Sequence, residues 1–359
     1  MYIAILIAVN LFQLAFVVIP FSRHEAWWIR VFDFPRLQTF CLGCLLLIVE
    51  LFVLDLTQTI SYLPLAMTAL FLLAQGWWIY PYTKLASAEV KWAKPAKDSA
   101  RVSLLCCNVL TPNREAKRLL KLVDEWQPDL LVTLESDDWW EEQLESLTEQ
   151  YPHSVKCPLD NLYGMHVYSR LPFEDSQLQF LVEDNVPSIH VLVRLAGQPV
   201  RIHFLHPAPP SPTENDESTE RDGELMRVAK YIRERQQQKD VPTIVAGDLN
   251  DVAWSATTRL FRKVSGLLDP RVGRGMWNSF HAKWWFARWP LDHIFHSDHF
   301  TLVKLCRLPP MGSDHFPIYT QLQLAPSRRN EQDGLDLEGD EKAWAEEKIE
   351  QVENGNGAS

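Results

Sequence analysis

Acid, amide and histidine side chains stand at the ends of hydrophobic runs throughout residues 101–324. Carboxylate and amide oxygens bind hard cations such as Mg²⁺, and a histidine beside a carboxylate can act as a general base. One Asp at a strand end is most often a turn former or a helix cap, but a run of such coincidences in one region is hard to explain by turns. The pattern predicts one shared site, built from Asn108, Glu135, His206, Asp248, Asn250, Asp292, Asp314 and His315.

Hydrolysis of a phosphate ester would use these residue types. Glu135 and Asn108 would offer oxygen ligands to Mg²⁺, with Mn²⁺ as the alternative ion. The ion would neutralise phosphate charge and stabilise the leaving oxygen. Asp248 and Asn250 lie two residues apart, so they can share one face of a terminating strand and orient water or a second ion.

His315 is the predicted base for the attacking water. A carboxylate must fix the imidazole tautomer and support its positive charge, and Asp292 is the candidate partner. His206 would donate a hydrogen bond to a non-bridging phosphate oxygen as charge builds there. These roles describe a metal-dependent hydrolase of phosphoric esters.

Strands and helices alternate in the region that must position these side chains. Strand patterns cover residues 101–108, 129–135, 200–206, 243–248 and 316–322. Helical patterns cover residues 114–126, 137–150, 223–238 and 255–264. This mixture favours an α/β or α+β sandwich over residues 101–325.

Two other segments differ from this pattern. The Pro-rich stretch 207–222 is long for a loop in a compact domain, which favours a functional role. The tail, residues 326–359, is acidic and poor in large apolar groups, and we expect it to be disordered or loosely helical.

Residues 1–82 form a predicted transmembrane region, joined to the sandwich by a linker over 83–100. Residues 2–21 and 56–83 carry no charge, and each is long enough to cross a bilayer. The apolar segment between them contains Glu50, which would face other helices, lie near an interface or be protonated. Three spans are the main interpretation, and two spans with a tucked hairpin are the alternative.

Three spans would place the loop at 22–36 on the same side of the membrane as the C-terminal domain. This side carries the Lys and Arg residues that flank the apolar segments, whereas the opposite side has none. The positive-inside rule therefore favours a cytoplasmic C-terminal domain.

Charge and cysteine content exclude some function classes. The net charge is -11, and an acidic chain is a poor general binder of nucleic acid because Lys and Arg supply most non-specific affinity. The six cysteines show neither zinc-type spacing nor a disulfide framework. Adjacent Cys106 and Cys107 are expected on opposite faces of one strand.

Seven stretches together resemble the motifs of the endonuclease/exonuclease/phosphatase superfamily. In chain order they are SLLCCNVL, PDLLVTLES, YGMHVYSRLP, IHFLH, VAGDLND, LDHIFHS and GSDHFPI. The resemblance implies a four-layered sandwich of two mixed β-sheets flanked by helices, with the site at one end. It also implies Glu135 as the main metal ligand, with Asn108, Asp248 and Asn250 around the metal and the nucleophile. His206 would contact the phosphate, and Asp292 and His315 would form an orienting pair. Asp314 would lie in the site, and Asp248 and Asp314 are further candidate metal ligands.

Five residues are candidates for substrate binding. Tyr163 lies near the position where some nucleases of the superfamily place a phosphate-contacting tyrosine, and the alternative is a core aromatic. Arg170 would contact phosphate or form an ion pair at a strand end. Asn278, His281 and Arg288 come from a Trp-rich stretch next to the catalytic motif and would line the site.

A lipid-linked phosphate is the favoured substrate, because apolar spans tether an acidic domain whose tryptophans cluster beside the catalytic motif. The combination resembles bacterial membrane-anchored members linked to teicoplanin resistance, which implies an inner-membrane protein acting on polyprenyl pyrophosphate. That resemblance would place the domain outside the cytoplasm, against the charge rule, so the side stays open. The alternatives are a membrane-tethered nuclease acting on DNA or RNA and an inactive membrane scaffold.

Overall fold

Three apolar helices begin the chain in the computed structural model, which describes residues 2–95 and 100–355. They are α1 (Tyr2–Val18), α3 (Arg36–Val53) and α4 (Tyr62–Ile79), with a short helix α2 (Trp27–Arg30) between the first two. The stretches Tyr2–Phe21, Arg36–Val53 and Thr59–Tyr82 are long and apolar enough to cross a membrane. Residues 22–35, which include α2, connect the first two stretches and are called the inter-span loop below.

Glu50 lies inside the helix bundle and faces the other two long helices. Its Oε1 accepts a hydrogen bond from Asn10 Nδ2 at 2.8 Å, and its Oε2 accepts one from Thr68 Oγ1 at 2.8 Å. The three side chains are buried and come from α3, α1 and α4 respectively. Of the three alternatives given for Glu50, the one in which it faces other helices is therefore observed. The residue joins the helices through a satisfied polar network.

Two mixed β-sheets form the C-terminal domain. The first sheet has the strand order β10-β11-β1-β2-β4-β3, and the second has the order β5-β6-β7-β8-β9. The strands are β1 (Arg101–Asn108), β2 (Leu130–Leu134), β3 (His153–Cys157), β4 (Met165–Ser169), β5 (Phe173–Phe180), β6 (Pro187–Leu195), β7 (Gln198–Leu205), β8 (Thr243–Asp248), β9 (Asp292–His296), β10 (Phe300–Arg307) and β11 (Ile318–Leu324). The helices are α5 (Ala116–Trp126), α6 (Asp138–Gln143), α7 (Thr219–Lys239), α8 (Ala256–Ser265) and α9 (Glu341–Gly355).

The sheets pack face to face, and helices cover their outer faces. One cluster of buried Val, Leu and Ile side chains fills the space between the sheets. A second cluster joins the first sheet to α5 and α6, and a third joins the second sheet to α7, α8 and α9. Cys106 belongs to the inner cluster and Cys107 to the outer one, as strand alternation predicts. The predicted four-layered sandwich of two mixed sheets is confirmed.

The predicted linker packs on the domain where it is described. Glu89 lies 2.6 Å from Arg262 in a buried ion pair, and Trp92 forms a β-bridge with Leu302. Residues 96–99 of this stretch lie outside the described residues. The region between the spans and β1 is therefore bound to the sandwich through its first thirteen residues, 83–95.

The acidic tail, expected to be disordered or loosely helical, contains the helix α9. Ala345, Ile349 and Val352 are buried on one side of α9 and form a stripe at helical spacing. A Cβ at Gly223 of α7 would lie only 2.4 Å from Val352 Cγ1, so the two helices approach closely there. Three apolar side chains at this spacing bury one side of the helix even though its other faces are acidic.

Candidate active site

The directions of the strands bring the predicted site residues to one end of the sandwich. β1 runs parallel to β2, and β7 runs parallel to β8, so the residues at their carboxyl ends share an edge. β9 and β11 run antiparallel to β8 and β1, so their first residues reach that edge as well. In register, Asp248 at the end of β8 is paired with Asp292 at the start of β9. The edge thus holds Asn108, Glu135, His206, Asp248, Asp292 and His315.

Hydrogen bonds and one ion pair join five of these side chains. His315 Nδ1 lies 2.7 Å from Asp292 Oδ2, and His315 Nε2 lies 3.4 Å from Asp248 Oδ2. Asn108 Nδ2 donates to Glu135 Oε1 at 2.7 Å and to Asp248 Oδ2 at 3.2 Å. Asp248 therefore connects the histidine on one side of the site with the amide on the other.

The backbone is strained beside two of the site residues. Glu135 has φ 59° and Asn250 has φ 51°, which is the left-handed region that non-glycine residues rarely adopt. Such conformations cost on the order of 1–3 kcal/mol each and persist only where the surroundings fix them. Next to Asp248, Gly247 has φ 151°, and a Cβ there would lie 1.9 Å from Leu205 O. Only glycine fits between β7 and β8 at that point.

The two histidines have opposite electrostatic surroundings. Burial lowers the pKa of His315, but the carboxylates of Asp292 and Asp248 outweigh burial and raise this pKa to about 10. Burial lowers the pKa of His206 to about 4, and its Nδ1 has no partner among the described residues. At neutral pH the site therefore contains one imidazolium held by carboxylates and one neutral imidazole.

Glu135 offers a free oxygen to a divalent ion. Its Oε2 is buried without a hydrogen-bond partner among the described residues, while its Oε1 accepts from Asn108. Burial raises the pKa of Glu135 to about 7, and a bound cation would reverse that shift. A buried carboxylate oxygen that lacks a donor fits a hard cation.

Two other predicted ligands are close but differently engaged. Asn108 Oδ1 accepts a hydrogen bond from the Leu110 N–H at 3.1 Å, so this amide holds two carboxylates together through its nitrogen. Asp314 lines the same cavity and accepts a hydrogen bond from Ser313 Oγ at 3.3 Å. Metal ligation by Asn108 or Asp314 stays a prediction.

A cavity of 410 Å³ opens onto these groups. One wall carries Glu135, His206, Asp248, Asn250, Asp314 and His315. The Pro-rich stretch supplies a second wall through Pro209, Pro210, Ser211, Pro212 and Glu214. The inter-span loop supplies a third through Trp27, Arg30, Val31 and Phe34. The functional role predicted for the long Pro-rich stretch therefore has a structural basis.

Tyr163 and His281 are the two predicted substrate-binding residues that lie at or beside the cavity. Tyr163 lines it, with its ring centroid 5.4 Å from that of His206. His281 packs on Phe280, a cavity residue, at 4.8 Å between ring centroids.

Three predicted substrate-binding residues lie elsewhere. Arg170 follows β4, which runs antiparallel to β2, so it lies beside Asp129 at the opposite end of the sheet and stacks on Tyr151. Arg288 packs its guanidinium over Phe316, and it does not line the cavity. Asn278 borders a separate surface pocket with Arg307. These three residues therefore lie outside the cavity lining, and their contact with substrate stays a prediction. Among the described residues, the Arg170 side chain donates to Gln127 O and stacks on Tyr151.

The inter-span loop is the part of the cavity that sequence reasoning missed. In the sequence, its arginines indicate only the orientation of the spans in a membrane. No local motif marks Trp27, Arg30 or Phe34 as site residues, because their contacts with the domain join positions far apart in the chain. One such contact is the hydrogen bond from Trp254 Nε1 to Asp33 O at 2.8 Å. One signal in the sequence indicates this contact: if there are three spans, the inter-span loop and the C-terminal domain must lie on the same side of the membrane.

Comparisons with solved structures agree on the fold. The human Nocturnin catalytic domain with bound sulfate is 16% identical and has a TM-score of 0.53, covering 63% of this chain and 95% of that chain. An endonuclease/exonuclease/phosphatase family protein from Bacteroides thetaiotaomicron is 17% identical with a TM-score of 0.51, covering 64% and 97%. TDP2 from D. rerio, complexed with a single-strand DNA product, is 17% identical with a TM-score of 0.50, covering 62% and 99%.

Sequence comparison gives the family directly. No curated protein matches this chain. The Endonuclease/Exonuclease/phosphatase family profile matches residues 105–315, which is more than half of the chain and includes every strand-end residue from Asn108 to His315. Members of this family are metal-dependent phosphoester hydrolases. The chain therefore belongs to the Endonuclease/Exonuclease/phosphatase family.

Proposed function

We propose that this protein is a membrane-anchored phosphohydrolase that cleaves a phosphate ester or pyrophosphate attached to a lipid. One observation carries the proposal: the cavity with the catalytic groups is walled by the loop that connects two candidate membrane spans. A phosphorus atom bound there would lie next to Trp27, Val31 and Phe34, beside the start of α3. A lipid in the bilayer has its headgroup at this level, whereas a soluble substrate gains nothing from such a wall.

The hydrolytic roles follow from the contacts. Asp292 fixes His315 through Nδ1, so Nε2 faces Asp248 and the cavity, where it takes the proton of the attacking water. Asp248 orients that water, and Asn250 keeps Asp248 in place because its backbone N–H donates to Asp248 Oδ1 at 3.0 Å. Neutral His206 donates to a non-bridging phosphate oxygen, and Tyr163 packs beside it.

The ion is assigned to Glu135. Asp248, Asp292 and His315 also approach one another within 4.8 Å and are a possible metal site. His315 Nδ1 already lies at hydrogen-bond distance from Asp292, so we assign this trio to proton transfer. A divalent ion, with Mg²⁺ first and Mn²⁺ second, supplies charge neutralisation at the phosphate and lowers the pKa of His315 towards the range in which imidazole accepts a proton.

An aromatic loop supports the lipid substrate independently. Trp284, Trp285 and Phe286 are 54%, 79% and 55% exposed, which is unusual for three large aromatic side chains in a row. Gln38 Nε2, in the first turn of α3, donates to Phe286 O at 3.1 Å. The aromatic loop therefore lies at the height where α3 begins, and exposed Trp and Phe residues favour the membrane–water interface.

The test is a substrate panel with the full-length protein in detergent–phospholipid micelles. The panel contains a prenyl pyrophosphate, a soluble phosphodiester, plasmid and single-stranded DNA, each with Mg²⁺, with Mn²⁺ and with chelator. We expect metal-dependent phosphate release from the lipid and no DNA cleavage, with both Glu135→Gln and His315→Ala inactive. Cleavage of DNA with the lipid untouched would favour the tethered nuclease, the activity suggested by the D. rerio TDP2 complex with a single-strand DNA product.

The same preparation separates a scaffold from an enzyme. If neither variant changes any activity or cellular phenotype, the protein acts as an inactive membrane scaffold. A reporter fused after Ser359 gives the side of the bacterial inner membrane on which the domain lies. An outward signal would agree with a polyprenyl pyrophosphate substrate of the teicoplanin-resistance type, and an inward one with the positive-inside rule.

A further inference from the structure

Among the described residues that line the cavity, Arg30 is the one Lys or Arg; the others are acidic, neutral polar, histidine or apolar residues. It ends α2 in the inter-span loop, and only 6% of the residue is exposed. Buried arginines normally have their donors paired with carboxylates. The partners of this guanidinium therefore decide whether it is structural or is free for a ligand.

The guanidinium is incompletely paired. Of its five N–H groups, one donates to Ser22 O at 2.5 Å, and Nε has no partner among the described residues. The carboxylate of Asp33 lies 3.6 Å from Nη1, which is longer than a hydrogen bond. Asp33 instead bonds to Arg36 Nη2 at 3.0 Å. Two cations thus share one carboxylate, and positive charge remains available at the cavity wall.

The inter-span loop holds Arg30 in a fixed position. The Trp27 N–H donates to Asp216 O and the Ser218 N–H donates to Glu25 O, both at 2.9 Å. These two backbone hydrogen bonds join the loop to the Pro-rich stretch. Glu25 also forms a buried ion pair with Lys348 at 3.0 Å. Arg30 is therefore preorganised at the cavity, and its binding to a ligand does not require ordering of a flexible loop.

Arg30 is placed apart from the catalytic groups. Among the described residues, none of the hydrogen bonds and ion pairs of Arg30 involves Glu135, His206, Asp248 or His315. A phosphoryl group held at His315 already has His206 and the ion as partners. The anion that Arg30 is placed to meet is thus a second one, carried by the same substrate.

We propose that Arg30 binds a second anionic group of the substrate, adjacent to the phosphoryl group that is attacked. The inference rests on the proposed function and makes it narrower: the substrate is an amphiphile with two neighbouring anionic groups, whose first apolar carbons lie along Trp27, Val31 and Phe34. In the diphosphate case, the water oxygen bonds to the terminal phosphorus and the bridging P–O bond breaks. The water proton goes to His315, and the lipid monophosphate leaves with the bridging electrons while Arg30 stays bound to its non-bridging oxygens, which are charged before and after the step.

Kinetics on a matched pair of lipids test this role. Full-length wild type, Arg30→Gln and Arg30→Lys are compared on farnesyl diphosphate and farnesyl monophosphate. Loss of a charge-assisted hydrogen bond predicts a KM for the diphosphate that rises about tenfold to a hundredfold in Arg30→Gln, with kcat within about threefold. The KM for the monophosphate should stay unchanged, and Arg30→Lys should recover part of the loss. Equal effects on both lipids, or no effect on either, would overturn the proposal.

Arg23→Gln is the matched control. Arg23 belongs to the same loop, but it is exposed and pairs with Asp340, away from the cavity. This variant should behave as wild type on both lipids. Thermal unfolding in detergent identifies any variant that has lost its fold, and in that case the Arg30→Lys comparison carries the test.

Binding of inorganic pyrophosphate gives a readout that needs no turnover. Isothermal titration of full-length His315→Ala with pyrophosphate should show an affinity that falls about tenfold or more when Arg30→Gln is added, but not when Arg23→Gln is added. If wild type hydrolyses neither lipid while this binding difference is present, the lipid proposal fails and the anion site survives. Equal pyrophosphate binding with and without Arg30 refutes the anion site even if the lipid is a substrate.

Discussion

Asp292→Asn is the sharpest test of the proton-transfer assignment. The substitution keeps the size of the side chain and removes the charge that lies 2.7 Å from His315 Nδ1. Asp292 is buried at 3% exposure, so solvent does not screen this charge. In the transition state His315 becomes an imidazolium, and a neutral amide supports that cation far less well than a carboxylate does.

The expected loss can be bounded from the contacts. A hydrogen bond between charged groups contributes about 1.5–3 kcal/mol, which corresponds to a fall in kcat of roughly tenfold to 150-fold. Removing the base itself with His315→Ala should cost about 10²–10⁴-fold. Because the two residues act as one unit, the double variant should lose no more activity than His315→Ala alone.

The assay is metal-dependent phosphate release from the prenyl pyrophosphate by the full-length protein in detergent–phospholipid micelles, with kcat measured at saturating substrate so that lipid binding does not enter. Glu224→Gln is the control, because it makes the same carboxyl-to-amide change at an equally buried acid that lies outside the cavity lining. Glu224→Gln should retain wild-type kcat. Losses from Asp292→Asn and His315→Ala that multiply in the double variant would mean that the residues act separately, and an unchanged kcat in Asp292→Asn would refute the pairing.

Three further predictions concern stability, each measured by thermal unfolding in detergent. Burial raises the pKa of Glu224 to about 8, above its unfolded value of 4.5. The folded state is thus favoured below about pH 4.5 and loses this advantage as pH rises towards 8. Glu224→Gln should therefore raise the free energy of unfolding by a few kcal/mol at pH 8 and by far less at pH 5. An equal gain at both pH values would contradict the reasoning. Lys348→Met leaves the buried Asp222 with one cation, so it should lower the free energy of unfolding by about 3–5 kcal/mol and make α9 sensitive to protease. A helix α9 that stays protected from protease would argue against this ion pair as its anchor. Glu50→Ala removes one of the two hydrogen-bond acceptors of Asn10 Nδ2 and one of the two of Thr68 Oγ1, and it should cost about 1–3 kcal/mol, with Glu50→Gln milder. Equal losses in the two variants would point to packing alone.

The end of the sandwich that holds the candidate site residues was predictable from sequence, because these residues directly follow or precede strands. A run of apolar residues fixes where a strand stops, and the polar residue that follows must lie at an end of the sheet. Glu135 and His206 are positioned in this way, after β2 and β7. What the sequence did not fix is the direction of each strand. Arg170 also follows a strand, but β4 runs opposite to β2, and this sends Arg170 to the far end.

The remaining wall of the cavity depends on packing between distant segments. Ile79, Tyr82 and Leu291 belong to one buried cluster with Trp254. That cluster joins the end of α4 to the loop after β8 and to the residue before β9. In the local sequence, each of these residues is an ordinary apolar position. Hydrophobic periodicity therefore cannot predict that the candidate spans and the strands of the sandwich share a core.

That shared core has a mechanical consequence for catalysis. Tyr82, at the end of the third candidate span, donates to Ala253 O at 2.6 Å, five residues beyond Asp248. Trp254 in turn donates to Asp33 of the inter-span loop. The segment that follows Asp248 is thus held by Tyr82 next to the third candidate span and by the inter-span loop, so the sandwich is not joined to the candidate spans by a flexible tether alone. Under the proposed function, a phosphate would reach His315 in one orientation relative to the bilayer, which is the geometry expected when the substrate is itself held in the membrane.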